Sequence, residues 1–474
     1  MTDSAKLAKG KNSAGTSPRP GRANFWILVG GFLTAYDGSA VALALPSIMG
    51  AYETDIRAAQ WVIIGFLGVT TALLIPIGDL ADRWGRRRLY GGGLICLAVG
   101  ALGSAMAPTF RALVAWRVVQ GGGAAAVAAT TQAILASEPT VGASAALGQL
   151  HAAIGLGLLA GPILGGWLVA EVGWPAIFLV EAVLALGAWG MCLQGTPEVR
   201  RPATHPFDLP GALLLAGVTG SLILSLAMVG RLRGALSVAS VLAVIGGASL
   251  LGFVARESRT THPLIPRDLF RNRACTVGLT CALLTFVAMA SNMFLMPIFL
   301  QTALGLPSPS AGILLATVPL VIILAAPLSG AWGDRAGPRL PATLGLVCVT
   351  GGIGLMWAIE PHSGVWAVLG ALTLYGIGAA LFQSPNNSAV LRAVPEAQRG
   401  KASGILATAR NLGLATGVAV AALVLSWDGS GPHGMAVAAF QRAFAILMAV
   451  AAGATLLSWF RGGGRKRRQQ EPSA

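Results

Sequence analysis

The residues of this chain able to do chemistry are few, and three of them interrupt otherwise uncharged, apolar stretches. Asp37, Arg117 and Glu181 each stand inside a run of about the length that crosses a bilayer. At 1.5 Å per helical residue, Asp37 falls about 18 Å from one end of its run, Arg117 about 9 Å deep from the other side and Glu181 about 10 Å. Across a hydrocarbon core of about 30 Å, the three share one level. Charges at such depth are costly and either pair or face water. Two acids and one base leave one carboxylate without a formal partner, a candidate for proton exchange. The competing reading of Asp37 and Arg117 is a static ion pair that only holds helices together.

The second half of the chain has no acid inside an apolar run, yet Arg410 lies about 13 Å into one. Gln383, Asn386 and Asn387 fall at comparable depth and are expected to accept its hydrogen bonds, a structural role. Asn292 and Gln301 are expected to line a polar path, Gln383, Asn386, Asn387 and Arg410 to be further polar candidates for its cavity, and His151 to pack between helices. Gly157, Gly161 and Gly165 recur at four-residue spacing, with Gly166 beside them and Pro162 between. That stripe lets a second helix backbone approach closely. No enzyme constellation accompanies these residues. The chain has no phosphate-binding loop of the G-x-x-x-x-G-K-[ST] type. Its His residues are scattered, without metal-ligand spacing to its five Cys. The expectation is no metal, no cofactor and no enzymatic activity.

The elements that hold these residues follow from composition. Of 474 residues, 55% are hydrophobic and only 11% charged, with 63 Gly and 26 Pro. A soluble protein carries about 25% charged residues, so this chain cannot coat a soluble surface of its size. Each apolar run must be helical, because lipid offers backbone groups no partner. Spans are predicted at 25–45, 59–79, 88–107, 112–134, 147–170, 174–194, 208–229, 235–255, 275–301, 310–331, 340–359, 364–390, 400–426 and 438–460, with a turn at Leu306–Pro309. This is an all-α polytopic membrane protein with fourteen crossings.

The net charge of +15 is topological and does not point to nucleic acid. With the N-terminus inside, 26 of the 33 Lys and Arg fall in cytoplasmic segments. Five fall outside (Arg57, Arg111, Arg231, Arg233 and Arg442), and Arg117 and Arg410 lie within spans. That asymmetry places both termini in the cytoplasm. Residues 1–22 and 462–474 read as disordered tails, the latter basic. Arg far outnumbering Lys, with abundant Gly and Ala, fits a GC-rich bacterium and hence its cytoplasmic membrane.

An internal repeat organises the spans. Residues 78–87, GDLADRWGRR, recur as residues 330–339, GAWGDRAGPR, at an offset of 252 residues. Parallel repeated halves are a transporter signature. The expected units are a six-helix bundle over 23–195, an extra helix pair within 196–260 and a second six-helix bundle over 261–461.

The first copy resembles the loop motif of the major facilitator superfamily, G-x-L-A-D-R-x-G-R-[KR]. Residues 117–123, RVVQGGG, are similar to its R-x-x-Q-G-x-G motif, and residues 157–166, GLLAGPILGG, to its antiporter motif G-x-x-x-G-P-x-x-G-G. Asp37 followed by Ala44-Leu45-Pro46 resembles the start of the 14-helix drug:proton antiporter branch. The likeness runs from Phe25 to Phe460. It departs from the branch at Phe178–Val183, where Asn and Pro are usual and Glu181 stands.

The resemblance implies two six-helix bundles working by alternating access, and export of amphipathic or cationic small molecules in exchange for protons. It implies a gating loop of Gly78, Asp82, Arg83, Gly85, Arg86 and Arg87, echoed by Asp334 and Arg335, whose ion pairs latch one face shut. It makes Asp37 the first choice for the coupling carboxylate, because the first helix lines the central cavity of this fold and the sixth, bearing Glu181, is peripheral. The partners implied are a small-molecule substrate, protons and membrane lipids, with the chain acting as a monomer. Rival readings are an exporter of an endogenous lipid-like molecule or metabolite, and a non-transporting sensor or scaffold.

Overall fold

A computed structural model of the chain describes residues 25–136, 143–194, 208–228, 235–260, 269, 272–395, 399–428 and 437–460. The predicted tails and most of the linkers around the extra helix pair lie outside these residues. The helices are α1 (Phe25–Ala51), α2 (Ile56–Trp84), α3 (Arg86–Ala105), α4 (Phe110–Ala136), α5 (Ala143–Glu171), α6 (Pro175–Gln194), α7 (Leu209–Met228) and α8 (Ala235–Glu257). There follow α9 (Arg273–Ile298), α10 (Ser308–Leu315), α11 (Thr317–Ala336), α12 (Arg339–Trp357), α13 (Gly364–Arg392), α14 (Arg399–Leu425) and α15 (Val437–Trp459). Among the described residues there is no strand. Among the same residues, thirteen stretches are long and apolar enough to span a membrane, α10 and α11 together forming one of them. The fourteenth predicted span coincides with α7, a shorter apolar helix by the same measure.

Helix ends follow from local chemistry. Asp55 caps α2 by accepting the Ala58 backbone N–H at 2.7 Å, and Asn272 caps α9 by accepting that of Ala274 at 3.0 Å. Gly85 and Gly337, 252 residues apart, turn α2 into α3 and α11 into α12 at φ of 107° and 81°. Only glycine adopts that backbone without strain. The chain also reverses at Leu306–Pro309, as predicted: α9 ends in a π-helical turn at Phe299–Ala303 and α10 starts at Ser308.

The repeat in the sequence is a repeat in packing. In the first half α1 packs on α4, α5 and α6, and α3 on α4 and α6; in the second, α9 packs on α13, α14 and α15, and α12 on α13 and α15. Close-approach glycines of α3 and α12 keep the same offset, and their partners on α4 and α13 stand 255 residues apart. A Cβ at Gly93 would stand 3.0 Å from the Gly123 carbonyl oxygen, and one at Gly345 2.7 Å from that of Gly378. Gly100 and Gly352 likewise press on the Gln120 and Tyr375 backbones. The halves meet through α2 on α14 and, in mirror fashion, α11 on α5. The extra pair α7–α8 joins them through α7, which touches α2 and α14, while Val244 and Leu251 of α8 face outward.

The buried core is asymmetric along the bundle axis. Near the α1–α2 turn one cluster runs continuously through both halves, from Tyr36–Met49 and Ile56–Ile64 to Phe294–Leu300, Ala415–Leu425 and Phe440–Ala451. Toward Gly85 and Gly337 it splits. Trp26, Leu33, Tyr90 and Leu94 belong to a first-half cluster, while Cys275, Leu279 and Val390 belong to a second-half one. The halves are therefore sealed together at one end and packed separately at the other.

Candidate functional site

The intramembrane charges of the first half converge on one point. Arg117 of α4 grips Asp37 of α1 with both terminal nitrogens, Nη1 to Oδ1 at 2.6 Å and Nη2 to Oδ2 at 2.8 Å. Its Nε donates to the Val62 carbonyl of α2 at 2.9 Å. The guanidinium lies over the rings of Phe66 and Phe178, 4.4 and 5.6 Å from their centroids. Such bidentate, stacked geometry suits arginine and not lysine. Asp37 and Glu181 are 0% exposed and Arg117 1%.

Gln120 connects this pair to the second acid. Three residues after Arg117, it shares the same helical face. Its Oε1 accepts from Arg117 Nη1 at 2.7 Å, and its Nε2 donates to Asp37 Oδ1 at 3.3 Å and Glu181 Oε2 at 2.6 Å. Glu181, expected on a peripheral helix, points at neighbouring helices and does not line the cavity described below. The stripe Ile177, Phe178, Glu181, Ala182, Ala185 and Ala188 is the buried face of α6, turned onto α1 and α3. Glu181 Oε1 and the Tyr36 hydroxyl are buried without a hydrogen-bond partner. The role of Gln120 escaped sequence reasoning, although the R-x-x-Q spacing carried it.

Residues of the loop motif pair within their own corner. Asp79 receives Arg83 at 3.2 Å, and Asp82 receives Arg86 across the α2–α3 turn at 2.8 Å. Arg87 Nε donates to the Cys192 carbonyl at the end of α6 at 2.9 Å. In the second copy Asp334 pairs with Arg392 at the end of α13, not with neighbouring Arg335. Arg339 donates to the Trp459 carbonyl at 2.7 Å, repeating on α15 what Arg87 does on α6. Gly78 has no neighbour within 4 Å of an added Cβ. At the opposite end two hydrogen bonds join the halves: Arg57 to the Ser426 carbonyl at 2.7 Å, and Gln301 to that of Leu43 at 3.0 Å. Gln301 is thus a tie between halves, not a lining residue of the cavity described below.

The glycine stripe of α5 is a contact surface for α1. A Cβ at Gly157 would collide with the Phe32 carbonyl oxygen, one at Gly161 with Ser39 Oγ, and one at Gly165 would stand 3.3 Å from Ala40. Gly166 faces the Ser308 carbonyl of α10 instead. An equivalent surface recurs in the second half. Gly413 and Gly417 of α14 meet the carbonyl oxygens of Leu283 and Val287 on α9. Close packing therefore accounts for the spacing in both halves.

Between the halves lies a cavity of about 70 Å³. Its walls include Ser39, Leu158 and Pro162 from the first half and Met289, Asn292, Met293 and Tyr375 from the second. No charged residue lines it. Arg410 is exposed and makes no hydrogen bond or ion pair among the described residues, which corrects the partners expected for it. Asn386 donates to the Gly278 carbonyl at 3.2 Å and Gln383 to the Met289 sulfur at 3.9 Å, because both point into the α9–α13 seam. Asn387 is half-buried. An arginine without a partner halfway along a span is tolerated only where water reaches it.

Comparison with known proteins agrees with this architecture. The profile of the Major Facilitator Superfamily matches residues 27–256 and 278–474. The chain is 32% identical to the lincomycin resistance protein of Streptomyces lincolnensis, over 82% of this chain and 81% of that one. It is 29% identical to a riboflavin transporter of Clostridioides difficile, over 83% and 85% of the two chains. It is 28% identical to the tetracenomycin C resistance and export protein of Streptomyces glaucescens, over 87% and 77%. Among solved structures, a bacterial homologue of the lysosomal transporter Spinster, inward-facing and occupied, superposes with a TM-score of 0.69 at 13% identity, over 94% and 97% of the chains. With half-repeats, apolar helices and a profile match along nearly its whole length, the chain belongs to the Major Facilitator Superfamily and is a membrane transporter, not an enzyme.

Proposed function

We propose that this transporter exports amphipathic small molecules in exchange for protons. The observation that carries this reading is the buried set of two carboxyls and one guanidinium. Arg117 engages both oxygens of Asp37, whereas Glu181 receives the Gln120 amide and otherwise meets the Asp37 carboxyl, with no cation of its own. A second carboxylate in the same dry volume has no cation of its own, so charge balance there requires a proton. Glu181 is therefore the proton carrier and Asp37 the fixed partner of Arg117, reversing the order that the sequence suggested. Release of the proton leaves an uncompensated negative charge, which favours the conformation that admits water. The relatives named for lincomycin resistance and for tetracenomycin C resistance and export support an outward cargo.

The core sealed near Arg57 and divided near Gly85 supports an inward-facing state, with both termini cytoplasmic and the basic loops beside them. A cavity of about 70 Å³ is well below the ~300 Å³ of a small-molecule pocket. Cargo binding must then part the walls. The relative named as a riboflavin transporter favours a second reading, in which the cargo is a metabolite and the machinery is the same. Proteoliposomes with a trapped pH indicator test the proposal. Adding cargo should drive proton movement in the parent protein and none in Glu181→Gln. Cargo flux without proton movement in the parent would refute proton exchange.

A further inference from the structure

We propose that the cavity between the halves takes an uncharged, flat aromatic molecule whose hydrogen-bonding edge is read by Asn292 and Tyr375. The inference deepens the export reading by naming a substrate class for its cavity. Asn292 Oδ1 and the Tyr375 hydroxyl are buried, line the cavity, and have no hydrogen-bond partner. The two residues are 5% and 1% exposed. Buried polar atoms in folded proteins are nearly always paired, and an orphan calls for a reason such as a ligand. The third polar group on the wall, Ser39 Oγ, is already committed to the Ala35 and Tyr36 carbonyls. Asn292 and Tyr375 thus present the uncommitted polar atoms, and each side chain can both donate and accept.

The remaining wall selects the rest of the molecule. Met289 and Met293 offer thioethers, which adapt in shape and favour contact with aromatic rings. A cation finds no counter-charge here. Asp37 and Glu181 face away from the cavity into the α1–α4–α6 interior, where Arg117 and Gln120 hold them. Burying an unpaired charge against this wall would be far costlier than burying a ring with one polar edge. The site therefore reads shape and hydrogen bonding, in place of the positive charge that the antiporter resemblance allowed.

The test uses the purified full-length chain in detergent, without a gradient, and two probes. These are 2-aminoanthraquinone, uncharged at neutral pH with its hydrogen-bonding groups free, and ethidium, a permanent cation. The parent should bind the anthraquinone saturably and more tightly than ethidium. Tyr375→Phe and Asn292→Leu should each weaken anthraquinone binding about tenfold, the effect of one lost hydrogen bond to a buried partner. Because each substitution removes an orphan polar atom, the melting temperature without probe should hold or rise, a pattern that a damaged fold cannot mimic. Absence of saturable anthraquinone binding, tighter binding of ethidium, or unchanged anthraquinone affinity in both variants would overturn the proposal. Intact anthraquinone binding without pumping in proteoliposomes would instead refute export and leave this inference standing.

Discussion

Asp37 and Ser39 stand two residues apart on α1 and face opposite compartments. Asp37 closes on Arg117 inside the first-half bundle, and Ser39 lines the cavity between the halves. Two residues along a helix turn by about 200°, so the fixed partner of Arg117 and the cargo wall share a helix and no space. Direct competition of cargo and proton for one carboxylate does not suit this arrangement. Coupling through tilt or rotation of α1, which packs on α4, α5, α6 and α9, does.

The first prediction separates the two acids. Asp37→Asn strips the buried guanidinium of Arg117 of its counter-charge, which typically costs about 3–5 kcal/mol. Its yield and melting temperature should fall sharply, and Asp37→Asn/Arg117→Gln should recover part of the loss. Glu181→Gln keeps the Gln120 contact and should fold normally while losing proton exchange. A stable, fully coupled Glu181→Gln would return the role to Asp37.

The second concerns the glycine stripe. Gly157→Ala drives a methyl group into the Phe32 carbonyl, and Gly417→Ala one into that of Val287. Overpacking of this kind costs about 1–3 kcal/mol, so both should lower the melting temperature and slow transport to a similar degree. Gly165→Ala, with 3.3 Å of room, should be milder. Sensitivity confined to the α5 position would assign the motif a directional role beyond packing.

The third concerns the corner ion pairs. Asp82 and Asp334 side chains are 58% and 63% exposed, and surface pairs contribute at most about 1 kcal/mol. Asp82→Asn and Asp334→Asn should therefore express and melt like the parent while changing the rate of cycling, read as initial efflux rate and as cysteine labelling of the outer cavity in a Cys-free background. Parental transport in both variants would retire the latch.

The fourth concerns the opposite seal and the orientation. Removing the Arg57 and Gln301 ties together, as Arg57→Ala/Gln301→Ala, should raise labelling of a cysteine placed at Leu43 from the outside. Reporter fusions after Ser258 and Ala474 should both read cytoplasmic. An external reading in the 194–207 loop contradicts the orientation.

Sequence alone determined much of the frame: the apolar spans, the 252-residue repeat and the depth at which Asp37, Arg117 and Glu181 meet. Hydropathy and a fixed rise per residue suffice for position along the membrane normal. Position around each helix axis is set by which neighbour packs against it, and only the tertiary structure decides that. It turned Glu181 toward neighbouring helices and away from the cavity, because α6 lays its alanine stripe on α1 and α3. It made Gln120 the bridge between two acids and sent Gln383 and Asn386 to the α9–α13 seam, away from Arg410. It also showed the α5 glycines to be half of a duplicated contact, since a close approach is a property of two helices and each sequence motif describes one.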